Sequence, residues 1–519
     1  MRWLRAALAA AFAATWPWAP LVAQDVTLSA RDGSVEITGT LLRYDGEFYR
    51  VRTEFGTLTV DGSAVRCAGP GCPDLEAYVA ELTFSGAASM ARFLLPPLLE
   101  AFAERQGYRL SRREEEGAGV LFVLSDPEDG TPVARFLVRA TDSDEGIAAL
   151  VAREADVALS ARPVSAEEDV LAAEAGLGRL SAPAQNRVVA LDALVAVVSP
   201  RNPVREVSPG QLARIFAGAL DSWRPLGGAD APIDPFLPAA DAGVLRVFER
   251  RIMQPEGLRP AGRVRYFENP RELAHAVGRN PLALGLTLRS ASGDGRVLLL
   301  SGGCGFRAAP SPEALKSGDY PLTVPLFFYT GSIRLPAVGR EFLRFLATPA
   351  AGEAILRAGF VDQGFSRIPL SRQGHRLANA IRAAGGETAL EELKRLVEEL
   401  EGRRRLSVTF RFEDGSARLG ARSRADIALL ARALESGTLG GRDLLFAGFS
   451  DGTGSAGNNR QLSRQRAASV RDAVREAAAT ADPARVELRA EGFGEAMPLA
   501  CDDTAWGRRT NRRVEVWIR

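Results

Sequence analysis

Lysine and histidine are nearly absent. Of 65 basic residues only Lys316 and Lys394 are lysines, and His275 and His375 are the only histidines. Two isolated histidines and four cysteines give neither a metal-spaced cluster nor a nucleophile–base constellation, so neither metal, cofactor nor enzymatic activity is expected. No run reaches the ~20 apolar residues of a membrane span after the N-terminus. Charge of one sign is also missing: 65 basic residues face 64 acidic ones, spread along the chain, so the basic stripe that nucleic-acid binding needs is not there. What is present, 46% hydrophobic and 25% charged residues over 519 positions, describes several folded domains rather than a disordered chain.

Residues 1–23 read as an export leader. Arg2 and Arg5 precede the short apolar run Ala7–Trp18, broken by Pro17 and Pro20, and a small-residue site follows at Leu21-Val22-Ala23. The expected location is the periplasm, against the cell wall and at the inner face of the outer membrane. Cys67-Ala-Gly-Pro-Gly-Cys72 sets two thiols at the ends of a turn, a disulfide candidate in an oxidising compartment. Cys304 and Cys501 stay open between buried free thiols and a bridge between domains.

The fold class expected is multidomain and mainly α/β. Residues 25–73 alternate with period two between Asp-Gly turns, which predicts a small β module. Residues 78–372 alternate short apolar strands with amphipathic helices, which predicts a two-lobed α/β domain with a largely parallel sheet. Residues 376–405 form a charged helical connector whose Leu393, Leu396, Val397 and Leu400 share one face. Residues 406–519 alternate strand and helix and end in Arg513-Val-Glu-Val-Trp-Ile518, an α/β sandwich.

The richest segment runs Gly448-Phe-Ser-Asp451-Gly-Thr-Gly454, then Asn458-Asn459-Arg-Gln-Leu462-Ser463-Arg-Gln-Arg466, then Gly492-Phe-Gly494-Glu495, then Asn511-Arg512-Arg513-Val-Glu515. These blocks resemble the OmpA-like peptidoglycan-binding domain across 406–519. Asp451 closes an apolar strand and Arg466 follows in the next helix, so a carboxylate and a guanidinium face a zwitterion together. The resemblance implies that Asp451 takes the ammonium of a diaminopimelate stem peptide and Arg466 its carboxylate. It implies further that Asn459 and Leu462 shape the wall, and that Asn511 and Arg513 line the same pocket. Without that resemblance, Asp451 and Arg466 would read as a surface ion pair worth ~0–1 kcal/mol.

The central stretch resembles the periplasmic phosphate-binding (PstS-type) proteins of ABC transporters over about residues 80–366. The blocks are Ser85-Gly86-Ala-Ala-Ser89-Met90, Ser160-Ala-Arg162-Pro163, Leu194–Pro203, Gln211–Gly218 with Trp223, Tyr320-Pro321 and Ala358–Val361. Such a domain implies an anion site built from hydroxyls, helix N-termini and an arginine, here Ser89, Ser143, Ser160, Arg162 and Gly243. Two departures count against phosphate. Pro238-Ala-Ala-Asp241-Ala242-Gly243-Val244 stands where an arginine and two hydroxyls belong, and Asp142-Ser143-Asp144-Glu145 adds three acids. The function expected is a peptidoglycan-anchored binding protein with a receptor of altered ligand, its partners peptidoglycan and a small anion or other small molecule. The alternatives are an anion receptor for an ABC transporter and an envelope scaffold with a degenerate cleft.

Overall fold

A computed structural model describes residues 25–75, 77–117, 119–238, 242–383, 390–413, 416, 418–439, 443–482 and 485–519, the side chains of 242–244 excepted. The leader expected over residues 1–23 lies outside the described residues. The chain divides into two compact units, residues 1–80 and 81–519.

The first unit is a five-stranded antiparallel sheet. Strands Gly56–Asp61, Phe48–Thr53, Glu36–Tyr44 and Asp25–Ala30 follow one another as a meander, and Val65–Ala68 returns beside Asp25–Ala30. Period-two alternation puts Val26, Leu28, Tyr49 and Val51 on the buried face. Asp45 makes one turn by accepting the amides of Glu47 and Phe48 at 3.0 and 2.7 Å. Cys67 and Cys72 are bridged.

In the second unit, the main sheet runs in the order Arg265–Phe267, Asp234–Pro238, Ala283–Leu288, Asn186–Val198, Thr323–Thr330, Val157–Ser160, Ala80–Ala87, Pro132–Thr141, Gly119–Ser125, Arg109–Glu115. The expected largely parallel sheet is instead mixed. Val157–Ser160 runs parallel to Ala80–Ala87, and Asp234–Pro238 runs parallel to both its neighbours. The long central strands Asn186–Val198 and Thr323–Thr330 pair antiparallel with each other and with the strands flanking them. The reason is connectivity. Pro132–Thr141, Gly119–Ser125 and Arg109–Glu115 are joined as hairpins, which need no crossover helix. The two central strands thread both lobes and serve as the frame between them. One lobe is filled by the aromatic cluster Phe84, Phe102, Phe136, Phe328, Phe342 and Phe345, with ring centroids 5.4–6.4 Å apart.

The C-terminal sheet has the order Arg367–Pro369, Arg404–Arg411, Arg513–Ile518, Asp443–Phe449, Glu487–Gly492. Arg367–Pro369, placed by sequence in the central domain, is thus an edge strand of this sheet. Alternation sends Leu406, Val408, Phe410, Val514 and Val516 to one face, against helices Ala421–Glu435 and Ala456–Ala477. Leu445, Ala447, Phe449 and Trp517 go to the other, against helices Gly374–Ala383 and Leu390–Leu400. On the latter helix Leu396 and Leu400 are fully buried and Leu393 partly, whereas Val397 is exposed.

Arginines also face the second side of this sheet, buried to 4% exposure or less at Arg405 and Arg513. Glu515 collects them: Arg513 Nε at 2.6 Å, Arg405 Nε at 3.3 Å, and the Arg376 guanidinium. Burial alone would raise the Glu515 carboxyl; the charges of Arg376, Arg405 and Arg513 outweigh it and hold it well below the usual carboxylate range. Arg405 reaches on to Asp319 of the central domain, at 2.5 and 3.0 Å. The Cys304–Cys501 bridge, 197 residues apart in sequence, fastens the same two domains. Phe306 meets Trp506 edge-on beside it, centroids 4.7 Å apart.

Candidate functional site

The C-terminal site begins with two glycines. A Cβ at Gly448 would stand 2.0 Å from the Ser463 carbonyl oxygen, and one at Gly492 would stand 2.4 Å from the Arg464 nitrogen. Their absence lets helix Ala456–Ala477 lie directly on strands Asp443–Phe449 and Glu487–Gly492. The Ser463 hydroxyl then accepts the Gly494 amide at 3.0 Å. This contact sets the helix against the strand end where Ser450 and Asp451 sit. Ser455 caps the helix by accepting the Asn458 amide at 3.4 Å.

Asp451 is largely buried. Its Oδ2 accepts from Arg512 Nη1 at 2.8 Å and its Oδ1 from the Thr453 amide at 3.1 Å. Burial would raise this carboxyl, but the Arg512 and Thr453 bonds outweigh it and lower it, so Asp451 is an anion at neutral pH. Arg466 is half-buried, its guanidinium 5.3 Å over the Phe412 ring. Burial lowers it, the Arg512 charge adds to that, and Asp451 works against both. Among the described residues, Arg466 Nη1, Asn459 Nδ2 and the Ser450 hydroxyl are buried without a hydrogen-bond partner. Leaving a buried donor unpaired costs about 1–3 kcal/mol. Arg466 feels the Asp451 charge, so its open nitrogen beside that carboxylate makes a receptive spot for a ligand that carries an acceptor. Leu462 is exposed on the same helix and offers an apolar rim.

Two expected pocket residues lie beneath the site instead. Asn511 holds the loop 499–502 by accepting the amides of Leu499 and Ala500 and donating to Ala500 O and Asp502 Oδ1. Arg513 is spent on Glu515, Asn511 O and Met497 O. The correction is one of register. Arg513 opens the central strand and points into the sheet's covered face, while Arg512, at the end of helix Ala505–Asn511, turns to Asp451. Sequence reading also missed Asp502, whose Oδ2 accepts the Gly452 amide at 2.7 Å and so braces the turn after Asp451. Asp502 follows Cys501, so the interdomain bridge is anchored one residue from this brace.

The central cleft is arranged differently. Ser143 Oγ accepts the Ala161 amide at 3.1 Å. Ser160 Oγ donates to Arg162 O at 2.8 Å and accepts Arg162 N at 3.3 Å. The Ser160 hydroxyl is therefore spent on the backbone as donor and acceptor, while Ser143 uses only its acceptor side there. Arg162 gives its guanidinium to Asp144 and Glu168. Burial works against its charge, but Glu168 and then Asp144 outweigh it and raise it. Ser89 is buried just before the turn Met90–Leu94. Gly243 falls in the first turn of helix Ala242–Phe248, and the preceding residues 239–241 lie outside the described residues. No helix is long and apolar enough to cross a membrane, and no group of three or more potential metal ligands occurs, among the described residues.

Residues 76–350 match a PBP superfamily domain and residues 411–512 the OmpA family. Over 220 residues the chain is 27% identical to protein SphX of Synechococcus elongatus, covering 40% of this chain and 63% of that protein. It is 26% identical to the phosphate-binding protein PstS of Bacillus subtilis, over 35% of this chain and 57% of the relative. The C-terminal part is 36% identical to the outer-membrane lipoprotein YfiB of Pseudomonas aeruginosa, over 21% of this chain and 60% of the lipoprotein. Each match spans less than two thirds of the relative. A solved phosphate ABC transporter substrate-binding protein with bound phosphate, from Clostridium perfringens, aligns over 54% of this chain and 99% of its own, at 18% identity and a TM-score of 0.41.

Proposed function

Because the chain belongs to the PBP superfamily and ends in an OmpA-family domain, we propose that it is a cell-envelope binding protein whose C-terminal domain docks it onto peptidoglycan. The observation that carries this reading is the pairing of an ionised Asp451 with unpartnered donors on Arg466, Asn459 and Ser450. A diaminopimelate end group presents an ammonium and a carboxylate on one carbon. The ammonium suits Asp451, an anion at neutral pH. The carboxylate suits the open Arg466 nitrogen, a charge-assisted bond worth about 1.5–3 kcal/mol. A relative described as an outer-membrane lipoprotein favours a place in the envelope. The central domain serves there as a receptor-like body, and the role assigned is binding rather than catalysis.

The test is sedimentation with purified diaminopimelate-type peptidoglycan. Wild type pellets with the wall material. Arg466→Ala stays in the supernatant while keeping the wild-type melting temperature; Asp451→Ala also stays in the supernatant and melts lower, because Arg512 loses its partner. Pelleting of either variant at the wild-type level would refute the site.

A further inference from the structure

The central cleft holds an anion that belongs to the chain itself. Asp144 lies in the first turn of helix Ser143–Val151, and both its oxygens are taken by arginine. Arg162 donates to Oδ1 from Nε at 2.7 Å and from Nη2 at 2.5 Å. Arg246 donates to Oδ2. The two arginines follow strands that lie on opposite sides of the central pair Asn186–Val198 and Thr323–Thr330 in the sheet order. Arg162 follows strand Val157–Ser160 in one lobe; Arg246 sits on helix Ala242–Phe248, which follows strand Asp234–Pro238 in the other. Other donors beside Asp144 are occupied as well. The amides of Asp144 and Glu145, at the helix N-terminus, both bond Asp142 Oδ1 at 2.8 Å. Glu168 takes the rest of Arg162 at 2.8 and 2.5 Å.

We propose that Asp144 is an internal ligand, a specificity-determining carboxylate that occupies the oxyanion position and latches the two lobes together through Arg162 and Arg246. This rests on reading the central domain as a two-lobed binding domain. A tethered carboxylate competes at an effective concentration that a dilute free anion does not reach. An incoming phosphate would have to displace Asp144 and then sit among Asp142, Glu145 and Glu168, all of its own sign. The two halves of the latch differ in strength. Arg162 has 5% of its side chain exposed, whereas Arg246 has 44%, so solvent screens the second contact more. The latch therefore shifts a population toward the closed form rather than fusing the lobes.

The test uses the full chain carrying spin labels at Glu104→Cys and Glu272→Cys, exposed positions on either lobe. All four native cysteines are bridged and do not take the label. Electron–electron distance measurement gives one narrow distribution for the wild type, unchanged by millimolar inorganic phosphate. Asp144→Asn broadens and lengthens it. Arg246→Ala does the same, and it leaves the buried Arg162–Asp144 pair intact should Asp144→Asn fold poorly. A broad wild-type distribution, a phosphate-dependent one, or one unchanged in the folded variants would each overturn the proposal. Wall pelleting of the same samples separates the two readings: loss of pelleting in the wild type refutes the docking site and leaves the latch standing.

Discussion

The two candidate sites of this chain dispose of their polar atoms in opposite ways. In the C-terminal domain, Arg466 Nη1 near Asp451, together with Asn459 Nδ2 and the Ser450 hydroxyl, is buried without a partner among the described residues. Around Arg162, the guanidinium, the amides of Asp144 and Glu145 and the Ser160 hydroxyl have acceptors supplied by the chain: Asp144, Glu168, Asp142 and backbone. Both sites sit at the end of a strand beside a helix start, and both combine acids with arginines. The difference lies in satisfaction. Unpaired buried donors raise the energy of the empty site and so reward a ligand; fully paired ones give a ligand nothing it does not have to win from an internal competitor.

Breaking the receptive site gives the largest effect on binding. Arg466→Ala removes the half-buried cation of this site with its open nitrogen and should weaken wall binding by about ten- to a hundredfold, read by sedimentation. Next is the framework on which that site rests. Glu515→Gln leaves Arg376, Arg405 and Arg513 facing an uncharged group and should cost about 3–5 kcal/mol in denaturant unfolding. Restoring a wild-type midpoint with the same slope would show that the arginines find other partners.

Removing the interdomain bridge with Cys304→Ser and Cys501→Ser sharpens the comparison. It should cost about 2–4 kcal/mol and loosen the Asp502 brace beside Asp451, lowering wall affinity while leaving the spin-label distance across the cleft unchanged. A change confined to the cleft would reverse the assignment of that bridge.

The smallest effect is one of pH. The Asp451 carboxyl is lowered, so what it contributes is fully present above its unfolded value and is lost only as pH falls through the folded one. Wall binding should therefore hold from pH 7 to about pH 4.5 and decline only below the ordinary carboxylate range. A decline centred near pH 6 would point to a different group.

Asp451 and Arg466 were named in the sequence through the resemblance of the blocks around them; the structure sets Asp451 just past strand Asp443–Phe449 and Arg466 on helix Ala456–Ala477. Arg512 was not separated from Arg513, because the boundary between helix Ala505–Asn511 and strand Arg513–Ile518 decides which arginine turns inward, and a one-residue shift exchanges them. The Cys304–Cys501 pair was undecidable for another reason: connectivity across 197 residues depends on domain docking, which local pattern does not encode. The acids at Asp142, Asp144 and Glu145 were visible as a departure from an anion site. That Asp144 meets an arginine from the opposite lobe required the fold.

The central claim is that this chain carries one site open to a ligand and one occupied from within, and a single calorimetric experiment addresses it. The full chain is titrated with a soluble muropeptide ending in diaminopimelate, then separately with inorganic phosphate. Saturable heat is expected with the muropeptide, abolished in Arg466→Ala, and none with phosphate. Saturable heat with phosphate in the wild type, or muropeptide heat that survives Arg466→Ala, would contradict it.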